Sequence, residues 1–405
     1  MRYFILIISL ITICSCSKGQ TISSDEFTYE IETVVTGYEI IWGFDFFDDG
    51  SMIFGEKKGN LFILRNNEVS QLSGFPEVLD TRQGGLMDIA IHPDYENSGW
   101  IYATFSGENP DGSGNFNLVR FKLSDTEITD LQYLFINEGP NQWKGHYGSR
   151  IVFQNEYVYF SIGEGGRSSR GGTTEVNNNA QDLNSAWGKI HRIYHDGRIP
   201  ADNPFYFDSS IPSIYSYGHR NPQGVTINPF TNEIWVTEHG PKGGDEINVI
   251  EKGANYGWPI VSYGDNYDGV QIPSEHAPDY KEPLYQWTPS IATSNLDFLD
   301  HKRHKSWYGS FLVCGLVSQR LFRMSYNDGV IHEEERIDLG GRVRNVRVHP
   351  DGLRHARDGW VYPWGCSQEE VPQRLHDDAY GQRQRGITTQ SRQHGIWPGL
   401  QAHLQ

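Results

Sequence analysis

One phrase recurs along this chain and limits what it can fold into: a short alternating strand, a turn built on Asp, Asn, Gly or Pro, then a second strand. Ser51-Met-Ile-Phe-Gly55 turns through residues 57–60 into Leu61-Phe-Ile-Leu64. Ile89-Ala-Ile-His-Pro-Asp94 turns into Trp100-Ile-Tyr-Ala-Thr-Phe105, and Arg150-Ile-Val-Phe153 into Tyr157-Val-Tyr-Phe-Ser-Ile162. Gly224-Val-Thr-Ile-Asn-Pro229 turns into Glu233-Ile-Trp-Val-Thr237, and Val346-Arg-Val-His-Pro-Asp-Gly352 opens the phrase again. Strands joined by such short turns pair antiparallel, and hairpins that return every few tens of residues predict a β-propeller. At roughly 60 residues per blade, about 380 residues suit six blades, each a four-stranded antiparallel sheet. Aromatic residues make up 13% of the chain and glycines number 44, which supplies large apolar faces and many reversals. The expected class is all-β; tandem β-sandwiches or a β-helix are the structural alternatives.

The ends of the chain read differently. Arg2 precedes an apolar run, Phe4-Ile-Leu-Ile-Ile-Ser-Leu-Ile-Thr-Ile13, with the length of an export signal rather than of a membrane span. Ile13-Cys-Ser-Cys16 resembles a lipoprotein cleavage box, with Cys16 as the acylated residue; an ordinary cleaved signal is the alternative. Residues 1–16 are therefore read as the signal, 17–30 as a short tether, 31–352 as the propeller and 353–405 as an atypical tail. This places the protein in the periplasm or on the cell surface, with a lipid anchor as its membrane contact. A formal net charge of -17 argues against a nucleic-acid partner, which calls for a basic face. Cys314 and Cys366 make neither a disulfide framework nor a zinc spacing. Cys314, inside Phe311-Leu-Val-Cys-Gly315, is expected to be a buried, inert thiol.

Three clusters could carry chemistry. In Glu238-His-Gly-Pro-Lys-Gly-Gly-Asp-Glu246, a Gly-Pro turn leaves carbonyls that no neighbouring amide need claim, and carboxylates follow at Asp245 and Glu246. Calcium is satisfied by such oxygens; a charged hairpin loop is the bland reading. In Tyr217-Gly-His-Arg-Asn-Pro-Gln-Gly224, Arg220 offers a planar fork for a carboxylate or quinone oxygen, beside the amide of Asn221. In Gly145-His-Tyr-Gly-Ser-Arg150, His146 is sterically open and could act as a general base near neutral pH, although an isolated histidine is more often structural. Arg82-Gln-Gly-Gly-Leu86 and Gly340-Gly-Arg-Val-Arg344 are two further polar points ahead of strands, with Arg342 and Arg344 on one face if extended. The glycine-rich loop from Gly163 to Asp182 lacks phosphate-cradling spacing.

Taken together, these clusters resemble the soluble PQQ-dependent aldose sugar dehydrogenases, the glucose/sorbosone dehydrogenase family, from about Trp42 to Gly352. Matching stretches also include Gly253-Ala-Asn-Tyr-Gly-Trp-Pro259, Ala180-Gln-Asp-Leu-Asn184, Gly188-Lys-Ile-His-Arg192 and Gly197-Arg-Ile-Pro-Ala-Asp-Asn-Pro-Phe205. The resemblance implies a six-bladed propeller with PQQ at one end of the central channel. It implies that His146 takes the proton of the anomeric hydroxyl while hydride passes to the quinone, with Glu164 orienting the histidine. It also implies that Gln83, Arg220, Asn221, Arg342 and Arg344 hold or polarise PQQ, with Tyr267 touching it. Gly240 and Pro241 would bind, through their carbonyls, the calcium that bridges to the cofactor. Glu246 and the carbonyl of Tyr256 would form a second, structural calcium site. The expected substrate is an aldose and the electrons leave to an external acceptor. A non-catalytic ligand- or protein-binding propeller and a calcium-dependent lactonase-type hydrolase are the competing functions.

Two departures stand out. Val317 falls where the family often places a lysine facing PQQ, with Arg320 close enough in sequence to offset it. After Gly352 the text becomes rich in Gln, Arg and His and loses strand alternation, as a shift of reading frame or a diverged tail would produce. Sequencing the underlying DNA separates the two: an intact frame through the natural stop eliminates the frameshift.

Overall fold

A computed structural model of the chain describes residues 20–23, 28–31, 33–166, 178–267, 269–349, 352–357 and 360–366. The expected signal, Cys16 and the part of the tail beyond residue 366 lie outside the described residues, as does the middle of the glycine-rich loop. The described chain is an all-β propeller of six consecutive antiparallel sheets. Their first strands are Ile41–Phe46, Leu86–Ile91, Ile151–Gln154, Pro222–Ile227, Thr293–Phe298 and Val343–His349, and each packs against the first strand of the next sheet. These strands line the channel, and Leu86–Ile91 and Pro222–Ile227 are buried almost throughout; the outermost strand of the first sheet, Glu68–Gln71, is exposed throughout. Apolar cores fill the spaces between neighbouring sheets. Ile53, Leu61, Ile89 and Phe105 lie between the first and second sheets, and Trp235, Ile247, Phe311 and Phe322 between the fourth and fifth. Cys314 is buried in the fifth sheet, as expected, and burial pushes its thiol up.

The expectation of six four-stranded blades needs correction. Five sheets have four strands, but the sixth has five, in the order Gln20–Ser23, Thr28–Ile31, Trp360–Cys366, Gly352–Arg357, Val343–His349. Strands thus form after Gly352 although the side-chain alternation is missing there. Backbone N–H and C=O groups make the ladder, and any residue except proline supplies both. The N-terminal strand Thr28–Ile31 pairs with Trp360–Cys366, so both ends of the described chain share one sheet.

Polar ties link neighbouring sheets around the channel. Asp45 accepts from the Ile91 amide at 2.8 Å, Asp88 from the Ile151 amide at 2.9 Å, and Asp297 from the Val348 amide at 2.8 Å. The Ser161 hydroxyl donates to the Pro222 carbonyl at 2.9 Å, and the Thr237 hydroxyl to the Ser294 carbonyl at 3.2 Å. Between sixth and first sheets, the Asn345 amide donates to the Trp42 carbonyl at 3.4 Å, and Arg347 lies 3.9 Å from Asp45. The ring closes through these last contacts. Arg150, 1% exposed, also pairs with Asp88 at 2.7 Å and donates to the Gln223 carbonyl at 3.2 Å, so it touches three sheets. Asp88→Ala leaves the Arg150 guanidinium buried without its counter-charge. The expected loss is about 3–5 kcal/mol, read as a lowered denaturation midpoint in urea.

Candidate active site

The site follows from strand direction. Gln83, His146, Arg220 with Asn221, and Arg342 all sit just ahead of first strands, and so arrive at the same end of the channel. The second strand of each sheet runs back to that end. Glu164 lies two residues past Tyr157–Ile162, and Glu238 closes Ile234–Glu238. Residues far apart in sequence therefore meet in one place.

His146 is held on several sides. Its amide donates to the Gln83 side-chain oxygen at 2.8 Å, and its ring Nδ1 stands 2.9 Å from Glu164 Oε1. The Trp143 ring packs edge-on against the imidazole at 4.9 Å between centroids. The backbone turns tightly here: Lys144 and His146 have φ of 59° and 48°, in the left-handed region where strain concentrates at functional sites. Gly145 and Gly163 leave the space this needs, since a Cβ on Gly145 would meet the Trp143 ring and one on Gly163 the His146 carbonyl. Burial and the Arg220 charge lower the proton affinity of His146, against an opposing pull from Glu164. The imidazole is thus neutral near pH 7 and can accept a proton. For Glu164, burial pushes upward, but His146, Arg220 and the Trp258 indole outweigh it, and the carboxyl stays below its usual range.

Arg220 and the hairpin at 238–246 build the adjoining wall. The Arg220 guanidinium donates to the His239 carbonyl at 3.1 Å and lies 5.1 Å from the Trp258 ring centre, while its buried Nε has no hydrogen-bond partner. Burial, with Arg220, His146 and Arg344 nearby, pushes His239 down to about 3. Glu238 and Glu246 face each other across the hairpin and line one small cavity with Arg220, Gly240, Tyr256 and Trp258. Burial raises the proton affinity of both carboxyls, and each is raised further by neighbouring carboxylates, Glu164 for Glu238 and Glu238 for Glu246. Glu238 Oε2 lacks a hydrogen-bond partner, although His219 Nδ1 is 3.4 Å away. Burial and Lys189 push His219 down to about 3, so it supplies no counter-charge.

The structure thus gathers His146, Glu164, Gln83 and Arg220 around one histidine, and Gly240, Glu246 and Tyr256 around one cavity. Asn221 turns its amide oxygen to the Gly148 N–H at 3.1 Å and the Gln223 side chain at 3.2 Å, so it braces the histidine turn. Asp245 ties the hairpin down by accepting from the Gly240 and Thr293 amides at 3.0 and 3.2 Å. The exposed Tyr267 donates to the Pro241 carbonyl at 3.4 Å. Arg344 is buried over the Trp42 ring at 4.3 Å. Arg342 is half-buried, one residue ahead of the strand Val343–His349 that holds Arg344. Val317 is exposed, and Arg320 pairs with Asp338 at 3.4 Å. Sequence reasoning assigned no role to Glu238, Trp143, Trp258 or His239. Glu238 was within reach, because Glu238 and Glu246 lie symmetrically about the turn; Trp258 is 94 residues from Glu164 and no local pattern joins them.

A histidine base held by a carboxylate, beside a buried arginine at the end of a propeller channel, defines a dehydrogenase or hydrolase type of site. The comparisons decide between them. A match to the glucose/sorbosone dehydrogenase family spans residues 38–358, and the chain belongs to that family of sugar dehydrogenases. It is 34% identical to the aldose sugar dehydrogenase YliI of Escherichia coli (strain K12), over 80% of this chain and 88% of that protein. It is 32% identical to quinoprotein glucose dehydrogenase B of Acinetobacter calcoaceticus, over 56% of this chain and 50% of that protein. The crystal structure of the soluble aldose sugar dehydrogenase from Escherichia coli in the apo-form superposes with a TM-score of 0.79 at 32% identity, covering 84% of this chain and 100% of that one.

The geometry sets a titration. The His146 ring protonates below the ordinary imidazole value of about 6.5, and Glu164→Gln, which removes the one carboxylate that raises it, lowers it further. NMR titration of the ring checks both; an unchanged value in the variant means that Glu164 does not face the imidazole.

Proposed function

We propose that the protein oxidises an aldose at its anomeric carbon, with PQQ as hydride acceptor, calcium as resident metal and an aldonolactone as product. The observation that carries this reading is the buried His146–Glu164 pair beside Arg220 at the channel end. The lining suits PQQ, an anionic quinone: the buried Arg220 Nε awaits an acceptor, and Arg344 and His239 stand close by. Gln83, Arg220, Asn221, Tyr267, Arg342 and Arg344 are the residues proposed to hold it. When bound, PQQ supplies the two-electron acceptor that no side chain can provide. His146 accepts the proton of the anomeric hydroxyl, and Glu164 keeps the ring oriented and stabilises the imidazolium that forms. Arg220 adds fixed positive charge where negative charge develops, in surroundings that exclude water.

Calcium fits the donor set. Calcium is satisfied by carbonyl as well as carboxylate oxygen, and among the described residues no three His, Cys, Asp or Glu side chains cluster as a metal site. Gly240 and Pro241 would bind it through their carbonyls at the cofactor. Glu246 and the Tyr256 carbonyl would bind it in the small cavity, where the unpartnered Glu238 oxygen is a further donor. Export, anchoring through Cys16 and delivery of electrons to an external acceptor complete the proposal, and rest on the N-terminal sequence and on the chemistry of a reduced quinol.

Reconstitution with PQQ and calcium, followed by dye reduction with a panel of aldoses, tests the reading. Failure to bind PQQ at micromolar concentration defeats it, and lactone hydrolysis without PQQ favours the hydrolase. His146→Ala is expected to lower kcat by about 10²–10⁴-fold while PQQ binding persists. Adding a chelator is expected to lower the melting temperature of the wild type and to change that of Glu246→Gln much less. An equal response in both shows that Glu246 binds no metal.

A further inference from the structure

The Trp258 indole touches both halves of the site. It is 3% exposed, its Nε1–H donates to Glu164 Oε2, and its ring lies under the Arg220 guanidinium at 5.1 Å. Its own backbone is fixed, with the amide donating to the Gly218 carbonyl at 2.9 Å and the carbonyl accepting from the Gln181 side chain at 2.7 Å. We propose that Trp258 is a positioning residue with two duties: its N–H locks Glu164 so that the other carboxylate oxygen orients His146, and its ring face seats Arg220 toward the cofactor.

The chemistry of the groups supports this division. An indole N–H donates only, so Glu164 Oε2 is the acceptor, and the bond favours the ionised carboxylate. With Oε2 occupied and Oε1 facing His146 at 2.9 Å, Glu164 cannot rotate without breaking a buried hydrogen bond. The bond also weakens the basicity of Glu164, so that a proton taken by His146 stays on the imidazole rather than passing to the carboxylate. The ring face provides a second, separable contact, a desolvated cation–π interaction that holds the guanidinium. Proton acceptance and cofactor binding would therefore be adjusted by one side chain. This inference rests on the proposed function for its catalytic readout but not for its structural one.

Trp258→Phe removes the N–H and keeps a ring; Trp258→Leu removes both. In the apoprotein, where no PQQ is needed, Trp258→Phe is expected to raise the pH at which His146 titrates, because Glu164 becomes the stronger base. Glu164 and Arg220 are the charged groups that act on His146, and both remain. In the reconstituted enzyme the same variant is expected to lose about tenfold in kcat with KM and PQQ affinity within about twofold. Trp258→Leu is expected to weaken PQQ binding by a further factor of about ten. An unchanged His146 titration in a folded Trp258→Phe protein overturns the first duty, and unchanged PQQ affinity in Trp258→Leu overturns the second. Should either variant fail to fold, the indole N–H resonance of Trp258 in Glu164→Gln provides the readout: it moves upfield if the bond exists and stays put if it does not. If the wild type binds no PQQ, the functional reading fails while the apoprotein titration still tests Trp258.

Discussion

The inner strands of the propeller are buried on both faces, yet their backbones still require hydrogen-bond partners where one sheet meets the next. Asp45, Asp88 and Asp297 meet this requirement by reaching across to the Ile91, Ile151 and Val348 amides. A buried amide left unpaired costs as much as a lost hydrogen bond, so these contacts hold neighbouring strands in one relative position along the channel. Everything functional depends on that position. The turns that carry Gln83, His146, Arg220 and Arg342 project from the ends of those same strands, and a slip between sheets would separate the histidine from its carboxylate.

Electrostatics divides the channel end into two regions. Around His146, a neutral imidazole, an ionised Glu164 and a cationic Arg220 make a place where a proton can be accepted and an anion held. On the other side of Arg220, Glu238 and Glu246 face each other across the hairpin, and burial and neighbouring carboxylates raise the proton affinity of both. Trp258 lies between the regions, bonded to Glu164 and lining the cavity of the paired carboxylates.

Parts of this were legible before any coordinates. The strand–turn–strand phrase led to the propeller, and the Gly-Pro-Lys-Gly-Gly turn was read as a calcium loop or a charged hairpin. His146 with Glu164, and Arg220 ahead of its strand, came from ordered motifs and proved to lie together. Other points were not legible. The sixth sheet takes two strands, Gln20–Ser23 and Thr28–Ile31, from the opposite end of the chain, and two more, Gly352–Arg357 and Trp360–Cys366, formed by backbone pairing where the side-chain pattern was lost.

The sequence by itself determined the strand periodicity, the repeat and the chemical types gathered in each turn, because these depend on neighbours in the chain. Only the tertiary structure decided that Trp258 bonds Glu164, that Asn221 braces the Gly148 amide and Asp245 the Thr293 amide, and that Asn345 closes the ring on Trp42. Those contacts join residues tens to hundreds of positions apart. Their existence depends on how six sheets pack around one channel, and a local pattern carries no information about that packing.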